Sequence, residues 1–141
     1  MILSRKAALG VAVCAGALLA STAGTAEAAY GGDLYGSIAV ADRGDSWHYA
    51  VVWNHPDQGA ADADALQTCG FANCIVQVRF MNGCGAVADR DGRLYAGVGR
   101  SLVAAENAAR AASGPDPNPL LVGLGSAEPS SVDIVASGCT D

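Results

Sequence analysis

The sequence predicts an α+β fold built from two pseudo-symmetric strand-strand-helix-strand repeats that form one disulfide-stapled domain. Three observations carry this: a self-similar pattern across two halves, a pair of alanine-rich helical segments closed by glycine, and four cysteines beyond an export signal in a short chain. Each half supplies one sheet face and a single small helix, so the halves are expected to share a core with pseudo-twofold symmetry.

Arg5 and Lys6, then an apolar, uncharged run over residues 7–20, then Ala26-Glu27-Ala28 make a secretory signal with an A-x-A cleavage site. The apolar run is too short to span a bilayer comfortably. Residues 1–28 are therefore read as the signal peptide and residues 29–141 as a single secreted domain without a transmembrane segment. Cys14 falls inside the signal, and the bulky Val13 before it speaks against a lipoprotein site.

Residues 35–39 (YGSIA) match residues 84–88 (CGAVA), and each run leads into an Asp/Arg/Gly turn, at Asp42-Arg43-Gly44-Asp45 and at Asp89-Arg90-Asp91-Gly92. Turns of this chemistry between strand-like runs signal hairpins. Residues 47–53 and 94–98 supply the return strands. Residues 60–70 then align without a gap on residues 104–114. Both read as helices, with acids toward the amino end, Pro56-Asp57 and Ser101 as starts, and Gly70 and Gly114 placed for left-handed caps. Alternation over residues 74–80 and 131–136 gives each half its last strand. Between the second helix and its strand, Pro115, Pro117 and Pro119 open a Pro/Gly/Ser-rich surface loop over residues 114–130.

Without its signal the chain keeps six arginines, no lysine and thirteen carboxylates, a net charge near −7. Singly scattered arginines on an acidic surface disfavour nucleic acid and anionic lipid as partners. The even count of Cys69, Cys74, Cys84 and Cys139 in an exported chain argues for two disulfides, because the spacings do not form the two close pairs of a zinc ribbon. Three pairings are possible. Local closure of Cys69 with Cys74 leaves Cys84 for Cys139, a bridge that would tie down the carboxyl terminus. Each bridge typically adds about 2–4 kcal/mol to so thin a core.

The string Ala61-x3-Ala65-Leu66-x2-Cys69-Gly70-x3-Cys74-x-Val76-x3-Phe80-x3-Cys84-Gly85-Ala86-Val87-Ala88 resembles the bacterial secreted family catalogued as domain of unknown function 4189. Tyr35-Gly36-Ser37-Ile38-Ala39 is similar to that family's opening, and Trp53 with Pro56 to its aromatic strand before the first helix. The resemblance implies a small exported protein and carries over the cysteine framework, but no catalytic motif. The proline loop and the match around Ser113 depart from the family's tighter pattern.

Candidate chemistry is sparse. His48, His55 and Asp57 are the candidates for acid/base work, yet the histidines share no helical i, i+4 face and show no metal-ligand spacing, so two surface or turn histidines are the simpler reading. Cys84 beside a histidine suggests a nucleophile only if it is reduced. No G-x-S-x-G occurs. The two Asp-rich turns lack the full calcium pattern, and Arg43-Gly44-Asp45 is a turn before it is an adhesion tripeptide. Trp47, Tyr49, Val51 and Trp53 share one strand face; such a stripe is usually core, and any exposed part of it is a candidate partner or glycan surface. The expectation is a non-catalytic secreted protein without a metal or cofactor, acting by binding a protein or glycan partner at the envelope or outside the cell. The alternative is a secreted hydrolase that uses His48 or His55 with a carboxylate such as Asp57.

Overall fold

The computed structural model describes residues 32–141, so the signal peptide read over residues 1–28 lies outside the described residues. Three segments of alternating small and apolar side chains pair antiparallel in the first half: β1 (Tyr35–Asp42) in the centre, with β2 (Trp47–His55) and β3 (Ile75–Met81) on either side. The second half repeats this order with β4 (Cys84–Arg90) between β5 (Arg93–Gly99) and β6 (Asp133–Cys139). The likeness extends to irregularities. The register shifts between Ile38 and Ala39 on the β3 side of β1, and between the matching Val87 and Ala88 on the β6 side of β4.

Helix α1 (Gln58–Cys69) begins where Asp57 accepts the Ala60 amide at 2.8 Å and ends at Gly70, whose φ of 72° is the left-handed cap that glycine adopts without penalty. Helix α2 (Leu102–Ala112) begins where Ser101 accepts the Ala104 amide. Its last helical turn runs into Ser113, and the left-handed residue is Gly114. Both helices bury alanines at helical spacing, Ala61 and Ala65 in α1 and Ala105 and Ala109 in α2.

Small side chains set the layer spacing. Ala39, Ala41, Ala50 and Val52 on the outer face of the first sheet pack under α1, and Ala86 and Ala88 on the second sheet pack under α2. Beneath α2, β5 is bare: a Cβ at Gly97 would stand 2.7 Å from Ala109 Cα, and one at Gly99 2.6 Å from the Ala105 amide nitrogen. The inner faces of the two sheets meet each other around Ile38, Val78, Phe80, Val87 and Ala136. The layers thus run α1, first sheet, second sheet, α2. Phe80 of β3 lies over both Gly36 of β1 and Gly85 of β4, so a single ring joins the two sheets.

Two segments differ from the sequence reading. The 114–130 loop contains a short helix, α3 (Pro119–Gly123), because a proline in the first turn gives up no hydrogen bond the helix needs. The last strand runs over Asp133–Cys139 rather than residues 131–136, since Cys139 must stand opposite Cys84.

Candidate functional site

The inner face of the first sheet ends in an open groove. Asp42 pairs with Trp47 and Val40 with Tyr49, so both aromatic side chains start β2 on the face that looks toward the second sheet. Each hairpin turn is closed by an aspartate, Asp42 accepting the Gly44 amide two residues on at 2.7 Å and Asp89 the Gly92 amide three residues on at 2.8 Å, with both glycines at positive φ. Between them, Val40, Trp47 and Ile75 from one sheet face Leu94 from the other across a groove of about 430 Å³, edged by Gln77, Arg93 and Tyr95, whose side chain packs toward α2. Trp47 also forms a wall of the adjoining basin, whose rim carries Asp42, Asp45, Ser46 and Asp89 together with Tyr49. Burial, and then the Asp89 carboxylate, push the Tyr49 hydroxyl above its usual pKa, so it stays a neutral donor. An aromatic and aliphatic wall beside carboxylates suits a ligand that offers both an apolar body and positive charge or hydroxyls.

The aromatic stripe is divided along its length. Tyr49 and Val51 pack into the inter-sheet core. Trp53 lies half exposed at the far end of β2, where Gly138 makes room: a Cβ there would stand 2.7 Å from Val51 Cγ1. Trp47, Tyr49 and Trp53 therefore do not form one continuous surface.

The candidate histidines part company as well. His48 lies on the outer surface, its ring edge-on to Phe71 at 5.0 Å, while the Arg43 guanidinium covers Phe71 at 4.1 Å. His55 Nε2 meets Asp64 Oδ2 at 3.0 Å, and the Thr68 hydroxyl donates to the other Asp64 oxygen at 3.4 Å. Asp57 is occupied in capping α1 and is not the partner of His55. A surface imidazole held by a carboxylate can pass a proton, but Thr68 contacts the carboxylate and not the ring. Among the described residues no group of three His, Cys, Asp or Glu side chains is placed to hold a metal ion.

A polar cluster escaped the sequence reading. Ser37, fully buried on β1, donates to Asp62 Oδ1 at 2.5 Å and accepts from Gln58 Nε2 at 2.7 Å. Gln58 also reaches Asp62 Oδ1 at 2.9 Å, and Arg79 Nε reaches Asp62 Oδ2 at 2.7 Å. Partial burial pushes the Asp62 carboxyl up, but the hydrogen bonds from Ser37, Arg79 and Gln58 outweigh it and hold the pKa below the usual carboxylate value. In the other half, Ser137, at the position on β6 that corresponds to Arg79 on β3, donates to Glu106 at 3.3 Å. The signal was there to read, since Asp62 aligns with Glu106, but only the sheet register places Ser37 and Arg79 beside it.

The cysteines pair as Cys69–Cys74 and Cys84–Cys139. Cys84 is thus a bridged sulfur with no thiolate to attack a substrate. Two disulfides fit a protein that folds outside the reducing cytoplasm, and among the described residues no helix is long and apolar enough to cross a membrane.

Comparison with known proteins places these features in context. The family described as Domain of unknown function (DUF4189) matches residues 35–115. Protein Rv1269c of Mycobacterium tuberculosis and protein Mb1300c of Mycobacterium bovis are each 42% identical over 73 residues, which cover 52% of this chain and 56% of each relative. The matched region therefore spans about half the length of those curated relatives. The NMR structure of Rv1813c from Mycobacterium tuberculosis is similar at a TM-score of 0.46 and 22% identity, over 97% of this chain and 99% of that one.

Proposed function

The chain belongs to the family described as Domain of unknown function (DUF4189), and from that premise we propose that it is an exported, non-catalytic binding protein whose residues 29–141, released from the signal at residues 1–28, bind a partner through the Trp47 groove. The observation that carries this reading is the position of Trp47, which walls both the apolar groove and the acidic basin beside it. A ligand seated there covers an aromatic face and meets Asp42, Asp45 and Asp89 at once. On a chain of net charge −6, that combination suits a cationic polypeptide segment carrying an apolar side chain. Two disulfides and glycine-backed layers keep the groove walls in place before binding, which limits the ordering cost of association.

The test is titration of the protein with a short Lys/Leu-rich peptide, followed by intrinsic tryptophan fluorescence. Saturable binding that weakens with salt, is lost in Trp47→Ala and survives in Trp53→Ala supports the reading. Binding of neutral oligosaccharides in place of the peptide would assign the groove to glycans instead. The alternative of a secreted hydrolase draws on one observation, the His55–Asp64 pair. It requires an activity on ester, amide or glycoside substrates that disappears in His55→Ala.

A further inference from the structure

The chain passes from the first sheet to the second through a chemically labile dipeptide. β3 ends at Met81 and β4 starts at Cys84, so Asn82 and Gly83 make the whole connection. Asn82 is the one asparagine of this sequence that glycine follows; histidine, cysteine, alanine or proline follows the others. Asparagine cyclises most readily before glycine, because no side chain on the next residue hinders attack of its backbone nitrogen on the side-chain carbonyl. The fold needs both residues for other reasons. Asn82 has a φ of 47°, in the left-handed region that asparagine tolerates, and a Cβ at Gly83 would stand 2.6 Å from the Gly99 carbonyl oxygen.

Both groups that would react are occupied by distant partners. The Asn82 side chain is held by the segment before β1: its Oδ1 accepts the Leu34 amide at 2.8 Å and its Nδ2 donates to Asp33 Oδ1 at 2.7 Å. The Gly83 N–H donates to Thr140 Oγ1 at 2.9 Å, and the Thr140 N–H donates back to the Gly83 carbonyl at 2.9 Å. Thr140 is placed by the Cys84–Cys139 disulfide before it and by Asp141 after it, whose backbone N–H and carboxylate pair with the Asn54 side chain. Asn82 is exposed, so water reaches the dipeptide. Cyclisation requires the Asn82 side chain to leave Leu34 and the Gly83 N–H to leave Thr140, and Thr140 lies beyond the last strand, where local opening costs least.

From this juxtaposition we propose that Asn82 is a site of spontaneous modification to isoaspartate, that Thr140 holds the reaction in check in the folded protein, and that conversion releases Asp33 and Leu34 from the turn. The Gly83 nitrogen loses its proton and bonds to Asn82 Cγ, the Cγ–Nδ2 bond breaks, and ammonia leaves. Water then opens the resulting succinimide. Opening at the Asn82 backbone carbonyl, the more frequent course, routes the chain through Cγ and leaves a carboxylate directly on Cα; opening at Cγ leaves an ordinary aspartate. The net reaction turns one amide and one water into one carboxylate and one ammonium ion, without oxidant or reductant. The isoaspartate carboxylate is one bond shorter in reach than the lost amide, has no N–H for Asp33, and sets a like charge near it. The connection also gains a main-chain carbon between Met81, paired with Tyr35, and Cys84, paired with Cys139.

The experiment incubates the disulfide-bonded protein at mildly alkaline pH and follows conversion at every asparagine by peptide mapping with mass spectrometry, both folded and in urea. The expected result is conversion concentrated at Asn82, about tenfold or more faster in urea than in the folded protein, and about fivefold faster in folded Thr140→Val, the fold-change of one lost hydrogen bond. Ser37→Ala, which weakens the fold under α1, is expected to convert at the unaltered rate, so that the rise in Thr140→Val reports local opening. Should Thr140→Val fail to fold, Asn54→Ala, which frees Asp141, is expected to raise the rate in the same direction. The converted protein, separated by its added negative charge, is expected to exchange the Leu34 amide proton faster than the unconverted form. Equal rates folded and in urea, an unchanged rate in both Thr140→Val and Asn54→Ala, an equal rise in Ser37→Ala, faster conversion at another asparagine, or unaltered Leu34 exchange after conversion would each overturn the inference.

Discussion

Ser37 and Asp62 meet at 2.5 Å between β1 and α1, a fully buried hydroxyl donating to a carboxylate that Gln58 and Arg79 also hold. The contact fixes the helix on the sheet by polar means where the second half uses alanine, since Ala86 takes the place of Ser37. A consequence for acid stability follows. The folded pKa of Asp62 lies below its unfolded value of 3.8, so its contribution is fully present above that value and is lost as pH falls through the lower, folded one. Urea unfolding measured against pH should show this loss, and Asp62→Asn should flatten it. Asp116, held low by the Ser130 and Asn118 amides, leaves a residual slope of the same sign. Ser37→Ala at neutral pH should cost about 2 kcal/mol, within the usual range for a hydrogen bond to a charged group.

Gly97 has the opposite problem, contact with no room to spare. A Cβ there meets the backbone of α2 at Ala105 and Ala109, which cannot swing aside as a flexible side chain can. Gly97→Ala should destabilise by about 3 kcal/mol, the upper end of overpacking costs, or prevent folding. Gly123→Ala, with nothing within 4 Å of the added carbon, should leave the denaturation midpoint nearly unchanged.

The disulfides should contribute unequally. Cys69–Cys74 closes a separation of 5 residues and Cys84–Cys139 one of 55, so chain-entropy reasoning gives about 2 kcal/mol for the first and about 4 kcal/mol for the second. Paired replacement by alanine, followed by denaturant unfolding, measures the difference. The larger loss should fall on Cys84/Cys139, whose bridge joins directly paired residues of β4 and β6.

Arg90 holds the proline loop from beneath. Its Nη1 donates to the carbonyls of Ser113, Gly114 and Pro115, each at 2.9 Å. Arg90→Ala should speed amide exchange across residues 114–130 while the central strands β1 and β4 keep their protection, because the loop is coupled to the rest through few other contacts.

Much of this architecture was legible in the sequence, for local reasons. Asp57 and Ser101 announce helix starts, Gly70 a helix end, and the Asp/Gly turns the two hairpins, because each acts on its own neighbours. What stayed hidden depends on distant partners. Nothing local says that Ile38 faces Val87 across two sheets, or that Phe80 rests on Gly85. His55 was weighed against Asp57, two residues away, whereas its partner Asp64 stands nine residues on, brought back by the turn from β2 into α1. The extension of β6 through Gly138 and Cys139 was missed because a glycine and a bridged cysteine break the alternation that marks a strand. Alternation put Trp47, Tyr49 and Trp53 on one strand face, but only the inter-sheet geometry separates Trp47, in a groove, from Trp53, against Gly138.

The most direct test of the binding role is amide and indole NMR shift mapping of the isotope-labelled protein during titration with the Lys/Leu-rich peptide. The account predicts saturable shifts concentrated at the Trp47 indole, Tyr49 and Leu94, and a loss of about 2 kcal/mol in Trp47→Ala, as for an aromatic anchor at an interface. Shifts centred on Trp53 or on the His55–Asp64 pair, or no saturable shifts at all, would contradict it.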